Sequence, residues 1–287
     1  MASVLNTNMA SISAQKFLSQ AQNKLSGAYE RLSSGSRINR AQDDAAGLGI
    51  TQNLTASIGG TTFAMRNAND AIGTLQTAEG ALTEISSMLQ RFKELATQGN
   101  NGALSYTQRE YLSNEMVELA TEIKNIAGRT KFNGNSLIGS AAANMVFQTG
   151  ASTSDKLTIG FSNILGSTFG SAGAVNYLTT SGNIRFTGSA NATAAAFSGL
   201  TPRIEGAIND IAKKRAAFGA LVNRVNSNIN NLDALSENLS AARSRVTDTD
   251  YAQETAMLTR TQILQQAATA MLSQANAQPN VILALLK

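Results

Sequence analysis

Residues 202–246 carry the strongest periodic signal in the chain and read PRIEGAINDIAKKRAAFGALVNRVNSNINNLDALSENLSAARSRV. Alternating steps of four and three from Ile204 reach an apolar residue almost every time, and polar residues fill most of the gaps. The positions reached are Ile204, Ile208, Ile211, Arg215, Phe218, Val222, Val225, Ile229, Leu232, Ser236, Leu239, Arg243 and Val246. This heptad pattern, which continues through about six repeats, predicts a long helix that packs as in a coiled coil.

The start of this helix is predicted from Thr201 and Pro202. Threonine is a common N-cap, and proline suits the first helical position because its φ is already helical and it needs no hydrogen bond there. At 1.5 Å per residue the helix would be roughly 65 Å long. Because such a long apolar stripe is unstable in water, other segments must cover it.

Two further segments can provide that cover. The first, residues 63–98, carries an apolar stripe made of Ala71, Leu75, Ala78, Leu82, Ile85, Leu89, Phe92 and Ala96. A shorter helix follows Gly99–Gly102, and its apolar residues are Leu112, Met116, Leu119, Ile123 and Ile126. Their three- and four-residue spacing predicts amphipathic helices that pack on the long one.

The middle of the chain, residues 131–199, is rich in Gly, Ser, Thr and Ala. Apolar and polar residues alternate in 145–149 and in 156–161, which predicts a β-hairpin with Leu157, Ile159 and Phe161 on one face. We expect a further strand at 183–187 and surface loops elsewhere.

Both ends of the chain are predicted to be amphipathic helices that lie beyond a break. Residues 3–32 precede Gly35, and residues 252–278 follow the break at 247–251 and end at Pro279. Their outer positions carry much Gln, Asn, Ser and Ala and few charges, which favours packing between copies over permanent contact with water. The candidate residues of this assembly seam are Leu18, Leu25, Leu32, Met257, Leu264 and Met271.

The predicted fold class is mainly α: an antiparallel, coiled-coil-like bundle built from both chain halves, with a small β-hairpin region in the middle and paired terminal helices. The predicted segments are an N-terminal helix in 1–40, the first half of the bundle in 41–140, a hairpin and loop segment in 141–200, the long helix in 201–246, and a C-terminal helix in 247–287.

Composition argues against an enzyme. The chain has no cysteine, histidine or tryptophan, which excludes disulfides and thiolates and removes the commonest general base and metal ligand. The pair Asp43–Asp44 has no third ligand nearby, and no phosphate-binding loop or dinucleotide fingerprint occurs. We therefore expect no catalytic, metal or cofactor site.

Charge and hydropathy limit the partners. The net charge of +4 and pI of about 9.4 come from basic residues scattered among acidic ones, which favours solvated helix faces over a nucleic-acid-binding patch. No apolar run reaches the roughly 18 residues of a membrane span. Residues 1–14 lack a secretory signal pattern, so we expect any export to leave the chain uncleaved.

The terminal segments resemble those of bacterial flagellins. The resemblance is carried by short motifs at 4–8, 31–35, 37–39, 43–47, 132–134, 244–246, 250–252, 274–276 and 279–281, which read VLNTN, RLSSG, RIN, DDAAG, FNG, SRV, DYA, QAN and PNV. It covers roughly residues 1–140 and 200–287, and the short span between them implies a flagellin with little or no outer variable domain.

The resemblance implies a structural subunit that self-assembles into the flagellar filament for swimming. It further implies secretion through the flagellar export channel to the cell exterior, with the export machinery, a secretion chaperone, and the cap and hook-junction proteins as partners. A host innate receptor of the Toll-like class is a further implied partner. The matching receptor-contact candidates are Gln90, Arg91, Leu95, Gln98 and Glu115, whereas Phe92 and Thr97 depart from the commonest family pattern.

Two alternatives remain at this point. The excess of basic residues and the Ser/Thr/Asn-rich middle are compatible with a flagellin-like cell-surface protein that binds an acidic polysaccharide. A hook–filament junction protein would share similar chain ends. An exposed basic cluster with salt-sensitive polyanion binding would favour the first alternative.

Overall fold

The computed structural model describes residues 7–164 and 194–285, with side chains described up to residue 278. The elements, in chain order, are α1 Met9–Ser34, α2 Ala45–Gly99, α3 Tyr106–Arg129, β1 Lys131–Phe132, β2 Asn135–Ser136, β3 Met145–Gln148, β4 Lys156–Ile159, α4 Ala194–Thr247 and α5 Tyr251–Leu285. The predicted mainly α fold with a small β-hairpin region in the middle is confirmed. These elements contribute to two compact units, one formed by Gly59–Ser236 and the other by the residues before and after that range.

The core of the Gly59–Ser236 unit is the predicted heptad stripe of α4. Every seventh residue is buried, namely Ile204, Ile211, Phe218, Val225 and Leu232, and the intervening stripe positions are half-buried. All eight stripe residues predicted for α2 are fully buried in the same core cluster, which also includes α3. The coiled-coil-like packing predicted from periodicity is therefore confirmed.

The predicted start of the long helix is wrong. The described part of α4 is helical from Ala194, Pro202 lies inside it, and the Thr201 hydroxyl donates to the Phe197 carbonyl, 3.4 Å away, as a residue within a helix does. Proline inside a helix removes one backbone hydrogen bond and crowds the preceding turn. Burial of Phe197 and Leu200, which continue the heptad stripe backwards from Ile204, outweighs that cost.

The predicted end of the last helix is also wrong, because α5 continues past Pro279 to Leu285. Proline weakens a helix interior, but its fixed φ of about −65° is itself helical, so the residue does not have to terminate the helix. The strand predicted at 183–187 lies outside the described residues.

The predicted hairpin forms from β3 and β4, which pair antiparallel in the register Met145↔Ile159. Leu157, Ile159 and Phe161 are buried, as the alternation predicted. Side-chain amides hold its turn end to two helices: Asn67 of α2 donates to the Gln148 carbonyl at 3.0 Å, and Asn228 of α4 donates to that of Thr149 at 3.1 Å.

A second, smaller hairpin, β1–β2, was not predicted. Asn133 and Gly134 both have positive φ, 47° and 82°, which is the backbone of a type I′ turn. The Asn-Gly pair between two short segments was the sequence signal for it.

In the other unit the two predicted breaks are joined to each other. Gly35 ends α1 with φ 68°, and its carbonyl accepts from the Thr249 amide at 3.0 Å. The Arg37 amide donates to the Thr247 carbonyl at 2.6 Å, and its guanidinium donates to that of Val246 at 2.9 Å. These hydrogen bonds hold the C-terminal ends of α1 and α4 together at the point where α5 begins.

The carboxylates of Asp43 and Asp44 accept hydrogen bonds from backbone amides in this region. Asp44 caps α2 by accepting from the Gly47 amide at 2.8 Å. Asp43 accepts from the amides of Arg40 and Asn39, and these hydrogen bonds, that of Arg40 first, hold the pKa of its carboxyl below the usual value. Both carboxylates therefore have structural partners in the break between α1 and α2.

We predict that Gly99→Ala destabilises the Gly59–Ser236 unit. A Cβ at Gly99 would overlap the ring of Phe197, which is fully buried and cannot move outward without losing that burial. The free energy of unfolding in urea should fall by about 1–3 kcal/mol. The matched control is Gly80→Ala in the same helix, where a Cβ meets nothing within 4 Å, and there it should rise by up to about 1 kcal/mol. Equal stabilisation by both substitutions would contradict this packing.

Candidate functional site

Helices α1 and α5 pack antiparallel over most of their lengths. At one end, the Asn8 amide group donates to the Ala275 carbonyl at 2.7 Å. Near the other end, Gln262 donates to the Tyr29 hydroxyl at 3.1 Å. The predicted pairing of the terminal helices is therefore present within one subunit.

The interface between these helices is narrow and rich in alanine. On α1 the buried residues are Ala14, Ala21 and Ala28, and the predicted seam residues Leu18, Leu25 and Leu32 alternate with them and are half-buried. On α5, up to residue 278, the buried or half-buried residues are Glu254, Leu258, Thr261, Gln262, Gln265, Ala268, Leu272 and Ala275. Small side chains allow the two helix backbones to approach closely.

The other predicted seam residues lie beside this interface. Met257, Leu264 and Met271 are 45%, 48% and 65% exposed. Each immediately precedes an interface residue, and one residue corresponds to about 100° around a helix. The structure therefore places them on a second apolar row of α5 that α1 does not cover.

This second row borders a groove along the helix pair. The groove has a volume of about 880 Å³ and is lined on α5 by Leu264, Ala267 and Met271 and on α1 by Ala10 and Phe17, among others. Phe17 is exposed although it is the bulkiest of these residues. Sequence reasoning missed Phe17 because it precedes the heptad position Leu18, and its size was the available signal.

Few charges surround the groove. The charged residues between positions 9 and 29 are Lys16 and Lys24, and Arg260 is the charged residue between positions 255 and 278. The groove lining is thus mostly apolar, and Lys24 is the charged residue in it. Covering the groove would therefore cost little free energy in the desolvation of charges.

The receptor-contact candidates lie on α2 and α3 in the Gly59–Ser236 unit. Gln90, Arg91, Gln98 and Glu115 are exposed, whereas Leu95 is only 1% exposed and belongs to the core cluster. The folded subunit therefore presents the polar candidates on its surface but does not present Leu95.

Arg91 links these two helices. Its Nε donates to Glu115 Oε1 at 2.9 Å, and its Nη1 donates to Glu94 Oε2 at 3.2 Å. These hydrogen bonds, that to Glu115 first, raise the pKa of the guanidinium above its usual value. The ion pair fixes the position of both exposed side chains but, since both face water, contributes little to stability.

Among residues 7–164 and 194–285, no group of three or more His, Cys, Asp or Glu side chains is placed to hold a metal ion. Within the same residues no helix combines the length and apolar character that crossing a membrane requires.

Comparison with known proteins identifies the family. The bacterial flagellin N-terminal helical region matches residues 5–142, and the bacterial flagellin C-terminal helical region matches residues 201–286. The chain belongs to the bacterial flagellin family. A flagellin of Bacillus subtilis (strain 168) is 37% identical to it, with 99% of each chain covered. A flagellin of Halalkalibacterium halodurans is also 37% identical and covers 99% of this chain and 100% of its own length.

Among solved structures, a putative flagellar hook-associated protein from Vibrio parahaemolyticus covers 72% of this flagellin and 100% of its own chain, with a TM-score of 0.59. Its sequence identity is 14%, so this likeness concerns the fold alone.

This flagellin is a structural subunit of the bacterial flagellar filament, which lies outside the cell, and is not an enzyme. Its 287 residues fit a form without a large variable domain. Nothing in the comparisons favours a polysaccharide-binding protein or a hook–filament junction protein.

We predict that Ala21→Leu loosens the α1–α5 pair. Ala21 is 6% exposed at the narrow interface, and a larger side chain there should cost about 1–3 kcal/mol of local stability. Hydrogen exchange of the α1 amides should accelerate accordingly. Gln22→Leu, at the neighbouring exposed position, is the control and should leave exchange unchanged. Unaltered protection in Ala21→Leu would show that the two helices do not pack in this way.

Proposed function

We propose that copies of this flagellin polymerise through the groove face of the α1–α5 pair, defined by the groove residues Phe17, Leu264, Ala267 and Met271 and by Met257, which continues the exposed row of α5 beyond the groove lining. The observation that carries the proposal is the uncovered second apolar row of α5. Its three large side chains recur every seven residues and are exposed, although the interface with α1 lies directly beside them.

The physical case rests on apolar burial. Fully burying one large aliphatic or aromatic side chain is worth about 1.5–3 kcal/mol, and several such residues line one continuous groove. Exposed apolar rows of this kind on a subunit commonly mark interaction surfaces. A heterologous contact, in which this row of one copy meets a different surface of the next copy, can repeat without closing and so builds a filament.

The route to the filament is part of the proposal. We expect the subunit to leave the cell through the flagellar export channel, held by a secretion chaperone beforehand, and to be added with the help of the cap protein beyond the hook-junction proteins. The family membership and the uncovered apolar row support this route, since such a row has to be shielded until polymerisation.

The test is polymerisation of the double variant Leu264→Gln, Met271→Gln. Amides on this face would have to be buried without apolar contacts, so the concentration needed for seeded filament growth should rise at least about tenfold. The matched control is Ile12→Gln, Ile263→Gln, which alters exposed apolar residues of the same helices outside the groove lining.

Growth should be followed by sedimentation and electron microscopy of full-length protein with filament fragments as seeds. Circular dichroism should show unchanged helix content in both double variants, because all four side chains are exposed. Normal growth of the groove variant would refute the proposed surface, and equal loss in the control would show that the contact is not confined to the groove.

A second candidate function is recognition by a Toll-like innate receptor. The supporting observation is that Arg91, held by Glu115, forms an exposed polar patch with Gln90 and Gln98 across α2 and α3. Charged side chains held in place by an ion pair can meet a receptor without a large cost in ordering.

We expect Arg91→Ala, Glu115→Ala to raise the half-maximal concentration for receptor-reporter activation about tenfold. Truncating a residue at the centre of an interface can cost more than about 1 kcal/mol of binding free energy. Removing both Arg91 and Glu115 avoids leaving either of these two charges without the other, and Glu94, which also loses Arg91, is exposed to water. Arg224→Ala on α4, likewise exposed, is the control. Activation equal to that of the unmodified subunit would exclude the patch.

A further inference from the structure

The methionines of this flagellin differ widely in exposure. Met116 is fully buried, and Met65, Met88 and Met145 are half-buried. Met9, Met257 and Met271 are 63%, 45% and 65% exposed, and Met271 lines the groove between α1 and α5. An exposed thioether is open to oxidants, whereas a buried one is shielded by its neighbours.

We propose that Met271, together with Met257 two turns earlier on the same face, is an oxidation site through which a peroxide stops the free subunit from polymerising. The inference rests on the assembly surface proposed above. Polymerisation covers the groove, so the filament protects the Met271 sulfur, which is vulnerable in the free subunit, and Met257 continues the same exposed row of α5.

The reaction is a two-electron oxygen transfer. The thioether sulfur attacks one oxygen of hydrogen peroxide, an S–O bond forms as the O–O bond breaks, and the departing hydroxide takes the proton of the transferred oxygen and leaves as water. The sulfur is oxidised to the sulfoxide and the peroxide is reduced. No group of the protein other than the thioether takes part.

The product changes the chemistry of the groove. A methionine sulfoxide carries a strongly polar oxygen where the thioether was apolar and adaptable. Around Met271 the groove is lined mostly by apolar residues such as Phe17, Leu264 and Ala267, and the side-chain donors in its lining include Gln274. Covering the groove with a second copy then moves the sulfoxide oxygen from water into a mostly apolar contact, which is unfavourable wherever no donor replaces the water.

The chain offers a matched comparison for this site. Met9 is as exposed as Met271, but it does not line the groove. Oxidation at Met9 therefore modifies the subunit to the same extent without placing a sulfoxide on the proposed contact. Met116, fully buried in the Gly59–Ser236 unit, reports whether the treatment has unfolded that unit.

The experiment treats full-length subunit with hydrogen peroxide, removes the peroxide, and maps each methionine by peptide mass spectrometry before seeded polymerisation. We expect Met271 to be converted well before Met116, and the concentration needed for filament growth to rise about tenfold. Preformed filaments exposed to the same dose should show at least about tenfold slower conversion of Met271.

Three control experiments test whether the loss of filament growth comes from oxidation of Met257 and Met271. Met257→Leu, Met271→Leu keeps the groove apolar and should polymerise equally well before and after peroxide. Met9→Leu should remain as sensitive as the unmodified subunit. Methionine sulfoxide reductases with a dithiol should restore growth, since the sulfoxide oxygen leaves as water while the dithiol becomes a disulfide, and the chain has no cysteine to interfere.

Normal growth of subunits that carry Met271 sulfoxide would overturn the inference, as would equal loss of growth in the double leucine variant. The glutamine variant shows separately whether the proposed assembly surface is wrong. If Leu264→Gln, Met271→Gln polymerises normally, the proposed surface is wrong; if that variant fails to grow while oxidised subunits grow, only the oxidation inference is wrong.

Discussion

Burial of the heptad stripe of α4 is the constraint on which the Gly59–Ser236 unit depends. A stripe with a large apolar residue at every seventh position cannot remain in water, and the eight buried stripe residues of α2 cover it together with α3. This burial outweighs local sequence preferences. Pro202 lies inside α4 and Thr201 is not an N-cap, because Phe197 and Leu200 extend the stripe and are buried when the helix continues through them.

The α1–α5 pair satisfies its apolar surface only in part, and this connects the fold to the function. Its alanine-rich interface brings two helices together but is too narrow to cover the large side chains of α5. A single helix partner covers only a narrow stripe of α5, and the large side chains of Met257, Leu264 and Met271 lie beside that stripe. The uncovered row with Phe17 beside it is what a subunit of a filament has available for another copy.

The candidate sites were predicted unevenly. Gln90, Arg91, Gln98 and Glu115 are exposed, as the predicted polar surface requires, but Leu95 is buried because it also falls on the inward side of α2. Met257, Leu264 and Met271 were predicted as members of the same seam as Leu18, Leu25 and Leu32, but they are exposed, whereas the three leucines are half-buried between α1 and α5. Residues a single position apart point about 100° apart on a helix, so spacing alone could not say which row faces α1.

Periodicity was sufficient for the mainly α fold, for the buried stripes of α2 and α4 and for the β3–β4 hairpin, because repeats of seven and two follow directly from helix and strand geometry. The point at which α4 begins, the burial of Leu95 and the choice between the two rows of α5 depended on surfaces distant in the chain. Such choices are made by the packing of whole elements, where burial of several side chains outweighs the preference of any one residue for a cap, an end or an exposed face.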